Sequence, residues 1–187
     1  PIAAVLGCVD SRLPIEMIFD VGVGDLFVNR VIGNVVNDDV IAGLEYACGV
    51  AGAKLIVVMG HTCCGAIKAA CGNHHQDKLS NVTNKINGAI DIVKARDPLL
   101  LNDQEAYLDA ITAENVNLST LQIMSASKTL SGLFQDEKIN IVGAMYDVKT
   151  GKVKFDNISQ VLLSTINLKA QKIESSKTEI KKVSMAD

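Results

Sequence analysis

The chain has 187 residues, 48 % of them hydrophobic, enough for one good core and short for two domains. Its 18 basic and 21 acidic side chains leave a net charge of −3, so it lacks the basic surface that a nucleic-acid partner requires. Apolar runs such as LIVVM at 55–59 fall far short of the roughly 20 residues that cross a bilayer, so no membrane span is expected.

The first element is a strand, AAVLG at 3–7, followed at once by CVDSR. Next, LPIEMIFDVG predicts a short helix that starts near Pro14 and ends at Gly22. A second strand, DLFVNR at 25–30, leads into VIGN. Val40, Leu44, Ala47 and Ala51 then repeat at helical spacing. The third strand, KLIVVMG at 54–60, runs into HTCCG, and the polar segment GNHHQDK follows as a surface loop. Ile86, Ile90 and Val93 mark a helix that stops before Pro98. Residues 101–134 are mostly helical by composition, and INIVGAMYDV at 139–148 is the fourth strand. From 157 the chain is polar and Lys-rich, with Leu162, Ile166, Ala170 and Ile173 as one weak apolar stripe. This tail reads either as a helical extension that packs on a partner subunit or, from its charge content, as a disordered end.

Strands separated by crossover helices predict an α/β fold: a mostly parallel central sheet of about four core strands flanked by helices, with a C-terminal helical extension. The division expected is a domain over 1–156 and an extension of it over 157–187. Ligands of such sheets gather at the carboxyl ends of the strands, and CVDSR and HTCCG both fall at such ends.

Five cysteines in a chain with a rich core read as reduced thiols rather than disulfides, which favours the cytoplasm. The chain begins almost inside its first strand, so a targeting segment or N-terminal arm can lie upstream of it. His61 and Cys64, three apart, share one side of a helical turn, whereas Cys63 points elsewhere. Adding Cys8 brings two thiolates and an imidazole to one sheet edge, a zinc set. Two Cys and one His with an open fourth position is the pattern of a catalytic zinc. Cys63 reads as a bystander; as a fourth ligand it would close the site. Cys48 and Cys71 read as core residues, and Arg30 and Asn34 as structural support at the strand ends. Gly60 and Gly65 bracket the ligand turn, where a Cβ would obstruct close backbone approach.

CVDSR, then NRVIGN at 29–34, then LEYACGVAGAKLIVVMGHTCCGA at 44–66, resemble the β-class carbonic anhydrases, whose signature is a CxDSR segment followed by GHxxCGA. The match is strong over residues 1–72 and visible again at Glu114, Asn115 and Val116 and at INIVGAMYDVKTGKV; it does not cover the tail. The resemblance implies one zinc ion per chain on Cys8, His61 and Cys64, with Asp10 and Arg12 as a paired dyad beside it, and a homodimer or tetramer. Val31 stands where the family often has Asn, and Gly43 where it often has a small polar residue. The implied activity is reversible hydration of carbon dioxide to bicarbonate and a proton.

The dyad has a physical rationale. Asp10 is two residues past Cys8, within reach of the metal, and Arg12 offers a planar fork that holds the carboxylate off it. Two thiolates make the metal's water harder to ionise than two imidazoles would, so an ionised Asp10 that accepts its hydrogen bond becomes useful. His74 and His75, with an unperturbed pKa of about 6.5, are candidate proton relays. Two rival readings stay open: a carbon disulfide or carbonyl sulfide hydrolase on the same zinc site, and a non-catalytic module that binds bicarbonate. The Asp10–Arg12 dyad argues against the second, because a purely structural site has no use for a carboxylate held in reserve.

Overall fold

Strands β1 (Ala3–Gly7), β2 (Leu26–Arg30), β3 (Leu55–His61) and β4 (Asn140–Tyr146) lie parallel in the order β2-β1-β3-β4. A fifth strand, β5 (Val153–Asp156), pairs antiparallel with β4 at the edge. The computed structural model describes residues 1–72 and 77–156; His74, His75 and the tail from 157 lie outside the described residues. Every residue of β1 is buried, as are six of the seven in β3, from Ile56 to His61. Both faces of these central strands are therefore covered, and this is why they read as unbroken apolar runs rather than as alternating ones. Val5, Val57, Met59 and Ala144 join one core cluster with Ile67, Ile86, Val93 and Ile111 from the helices.

The winding order places the site. From β1 the chain crosses to β2 on one side and then to β3 on the other, so β1 and β3 flank a topological switch point. In an open α/β sheet the crevice beyond the carboxyl ends of such a pair is where ligands bind. Cys8 follows β1 and His61 ends β3.

The helices are α1 (Ile15–Ile18), α2 (Asp38–Glu45), α3 (Gly65–Cys71), α4 (Ser80–Arg96), α5 (Gln104–Ala126) and α6 (Lys128–Gln135). Ile86, Ile90 and Val93 form the buried stripe of α4, and α4 stops at Arg96, two residues before Pro98, as its spacing predicts. Side-chain caps fix three starts: Asn37 accepts from the Val40 N–H at 2.8 Å, Asp103 from Ala106 at 3.1 Å and Ser127 from Leu130 at 3.0 Å.

Three expectations need correction. The helix expected from Pro14 to Gly22 ends at Ile18, because Asp20 takes a left-handed φ of 52° and the chain turns toward β2 before Gly22. Ala51 is exposed, because Tyr46–Val50 form a wider π turn that carries the next position out of the apolar stripe holding Val40, Leu44 and Ala47. Gly65 is exposed, and among the described residues a Cβ there would meet nothing within 4 Å; only Gly60 obstructs. At Gly43 a Cβ would lie 2.6 Å from Asn29 Oδ1, the end of a side chain that would have to turn aside.

Candidate metal centre

Cys8, His61 and Cys64 converge at the switch point. One ligand atom from each lies within 4.8 Å of the other two, and all three residues are buried. The route to this convergence is strand, turn and helix rather than one helical turn. His61 closes β3, Thr62 and Cys63 make the turn, and Cys64 is the N-cap of α3. Cys63 takes a left-handed φ of 56°, which reverses the chain, returns Cys64 to the site and leaves the Cys63 side chain exposed.

The imidazole is set for coordination. His61 Nδ1 lies 3.0 Å from the Thr62 carbonyl oxygen, so Nδ1 carries the proton and donates it there. Nε2 is left with its lone pair toward the sulphurs, buried and with no hydrogen-bond partner among the described residues. An acceptor nitrogen stranded this way is costly unless something electron-deficient fills the gap.

The two thiols are shifted in opposite directions. Contact with the Cys64 thiol lowers the Cys8 thiol against the cost of burial, aided by the backbone N–H groups of Asp10 and Gly33. The same contact and burial push Cys64 well up. Burial and the facing sulphur together oppose two negative charges in this space, and a cation between them relieves both. That is the electrostatic behaviour of a site built for a divalent ion.

Beside the cluster, Arg12 grips Asp10 with both ends of its fork: Nε donates to Oδ1 at 2.9 Å and Nη2 to Oδ2 at 2.7 Å. The Arg12 N–H also donates to Oδ1 at 3.0 Å, so a tight local turn, not extended backbone, brings the dyad together. Arg12 holds the Asp10 carboxyl well below the usual carboxylate range, and Asp10 raises the guanidinium in return. Arg12 Nη2 donates further to the Cys63 carbonyl at 3.1 Å, tying the CVDSR loop to the ligand turn. Asp10 Oδ2 lies 4.0 Å from His61 Nε2, on the rim of the cluster. Arg30 donates to the carbonyls of Cys8, at 2.9 Å, and of Asp10, which is the supporting role expected of it. Asn34 is fully buried, and its carbonyl accepts from Ser119 Oγ at 3.1 Å.

Sequence reasoning did not assign Gly33, whose N–H donates to Cys8 Sγ at 3.3 Å, or Asn115, whose Nδ2 donates to the Gly33 carbonyl at 2.9 Å. The glycine in VIGN and the resemblance at Asn115 were the available signals, but nothing local ties one to the other.

Fold and site together define an α/β protein with a Cys2His cluster at the carboxyl edge of its sheet, able to hold one tetrahedral ion. The carbonic anhydrase family model matches residues 3–153. The chain is 34 % identical over 157 residues to the carbonic anhydrase of Mycolicibacterium smegmatis, covering 82 % of this chain and 74 % of the relative. Its fold is similar to a β-carbonic anhydrase of Aspergillus fumigatus, with a TM-score of 0.80 at 24 % identity over 89 % of this chain and 82 % of that one. It is also similar to two tetrameric β-carbonic anhydrases from Sordaria macrospora, with a TM-score of 0.73 at 24 % identity over 84 % and 81 % of the respective chains. The chain belongs to the β-carbonic anhydrase family.

Proposed function

We propose that Cys8, His61 and Cys64 hold one zinc ion and that Asp10 and Arg12 act beside it in the reversible hydration of carbon dioxide. The family supplies the reaction, that of a lyase, carbonate dehydratase. The observation that carries the site is the buried, unpartnered Nε2 of His61, clustered with the two buried cysteine sulphurs. The residues fit zinc: soft sulphur and borderline nitrogen donors, three in number, leave a fourth tetrahedral position free. When bound, the ion supplies Lewis acidity that brings the pKa of a coordinated water down toward about 7.

The chain's own groups do the rest. Asp10 stays ionised because Arg12 donates to both of its oxygens, so it is an acceptor and never a donor at neutral pH. On the rim of the cluster it accepts the hydrogen bond of the attacking water and aims the oxygen's free lone pair at the carbon of carbon dioxide. Arg12 also keeps the carboxylate from swinging inward, where it would compete for the fourth position. The product is bicarbonate, and the proton released passes to solvent or buffer. A carboxylate gripped in this way suits a site that must stay open rather than a closed structural one.

The protein is further proposed to assemble as a homodimer or tetramer. Met17, Val23, Tyr46 and Val50 are exposed apolar side chains, β2 is an edge strand of the described sheet, and the Sordaria relatives are tetrameric. Light scattering should show no monomer at micromolar concentration. No helix among the described residues is long and apolar enough to cross a membrane. Two thiolate ligands suit a reducing compartment such as the cytoplasm.

The deciding experiment measures zinc content and carbon dioxide hydration rate on one preparation. One zinc per chain with rapid hydration is expected; a fully loaded protein without turnover would overturn the assignment.

A further inference from the structure

We infer that Asn115, on α5, is a positioning residue for the metal centre: by holding the Gly33 carbonyl it fixes the direction of the Gly33 N–H that donates to the Cys8 sulphur. The inference rests on the reading of Cys8 as a metal ligand. Cys8 and Asn115 lie more than a hundred residues apart, and one glycine connects them. Its N–H donates to Cys8 Sγ at 3.3 Å, and its carbonyl accepts from Asn115 Nδ2 at 2.9 Å, all three residues being buried. One turn further along α5, Ser119 Oγ donates to the neighbouring Asn34 carbonyl at 3.1 Å. Two side chains of one helix, four residues apart and so on one face, pin consecutive peptide units of the Ile32–Asn34 turn.

The pins matter because of what Gly33 is. Its φ is +65°, and a Cβ there would lie 3.1 Å from Ala66 Cβ and 3.2 Å from Ile86 Cδ1, so a side chain at this position is both strained and tightly packed. Glycine has no intrinsic preference for one sign of φ, so nothing within the residue keeps its N–H aimed at sulphur. External bonds must do so. On the peptide unit that follows Gly33, the Asn34 N–H donates to the Val31 carbonyl at 3.0 Å within the turn itself, and Asn115 supplies the bond from outside it, anchored in a 23-residue helix rather than in a loop. A thiolate in a buried site depends on such donors, because no water replaces a lost one. Partners one shell out from a metal typically set about 10- to 100-fold of its affinity.

The test uses the full chain loaded with zinc, with Asn115→Leu, Asn115→Ala and Ser119→Ala as variants. Zinc affinity is read by competition with a chromophoric chelator. The thiolate-to-metal charge-transfer band is read on the cobalt(II)-substituted proteins. The Asn115 variants should bind zinc about 10- to 100-fold more weakly. Their cobalt band should move to lower energy, because a sulphur freed from an N–H donor gives up its electrons more easily. Ser119→Ala should move both readouts the same way by a smaller amount. A folded Asn115→Leu protein with wild-type affinity and an unshifted band overturns the inference, because a merely structural asparagine would lower thermal stability without touching the sulphur. Should both Asn115 variants fail to fold, Ser119→Ala decides: a shifted band with weaker binding supports the positioning role, and wild-type values refute it. A wild-type chain that takes up no zinc refutes the ligand assignment itself, a result distinguishable from the others.

Discussion

Replacing Gly60 with alanine inserts a methyl group where α5 crosses β3, one residue before the ligand His61. The new Cβ would lie 2.8 Å from Val116 Cγ2, 2.9 Å from Thr112 Cγ2 and 3.0 Å from Met145 Sδ. Carbon atoms in contact prefer roughly 3.5–4.0 Å, so two of these neighbours must withdraw by roughly half an ångström or more. Met145 can yield, being unbranched. Val116 cannot, since a β-branched residue in a helix has one favoured rotamer. Thr112 is held by its own hydroxyl, which donates to the Leu108 carbonyl at 2.8 Å. The helix as a whole must retreat, and overpacking of this kind costs about 1–3 kcal/mol. For a chain of this length that corresponds to a fall in Tm of roughly 2–12 °C. Because α5 also carries Asn115, zinc affinity should fall with it. Gly65→Ala is the paired control: on the other side of the ligand turn, among the described residues, its Cβ meets nothing within 4 Å. Its Tm should be unchanged or slightly raised. Thermal unfolding of both proteins followed by circular dichroism measures the difference, and equal Tm values for Gly60→Ala and the wild type would refute the close-approach argument.

Cys64→Ser should lose most of its zinc by atomic absorption, because one thiolate and one imidazole hold a tetrahedral ion poorly, whereas Cys63→Ser should keep zinc and activity; full retention in Cys64→Ser removes that residue from the ligand set. Arg12→Ala should keep zinc but lose most stopped-flow hydration activity, since Asp10 Oδ2 already sits 4.0 Å from His61 Nε2 and no fork then holds it back; wild-type turnover would deny the dyad a role. Asp109 is a carboxylate whose pKa is raised by burial and then by Glu105. A raised folded pKa means that the charged form is disfavoured by folding, so Asp109→Asn should be more stable than the wild type at pH 7. That gain should shrink as the pH falls through the raised folded pKa and vanish by about pH 3, below the ordinary value of about 3.9, where the wild-type group is neutral in both states; urea titrations from pH 7 to about 3 check the sign.

Much of this protein is decided locally. Unbroken apolar runs of five to seven residues have only one way to bury themselves, in a sheet covered on both faces, so β1 to β4 are legible from hydrophobicity alone. Asp10 and Arg12 meet through a turn within their own five-residue segment, and His61 and Cys64 through another, so both pairs stand out in the sequence. What depends on the approach of distant segments does not. The strand β5 is four residues long and has two exposed side chains, so only its pairing with β4 makes it a strand. That the Asn29 side chain lies against Gly43 is likewise invisible in the sequence. Gly60 and Gly65 look alike in sequence, yet only the first has a helix against it. The link from Asn115 through Gly33 to Cys8 spans most of the described chain. A hydrogen bond between groups so far apart in sequence leaves no periodicity or spacing to read, and it comes into being only when the packed core sets α5 against β3 and β4.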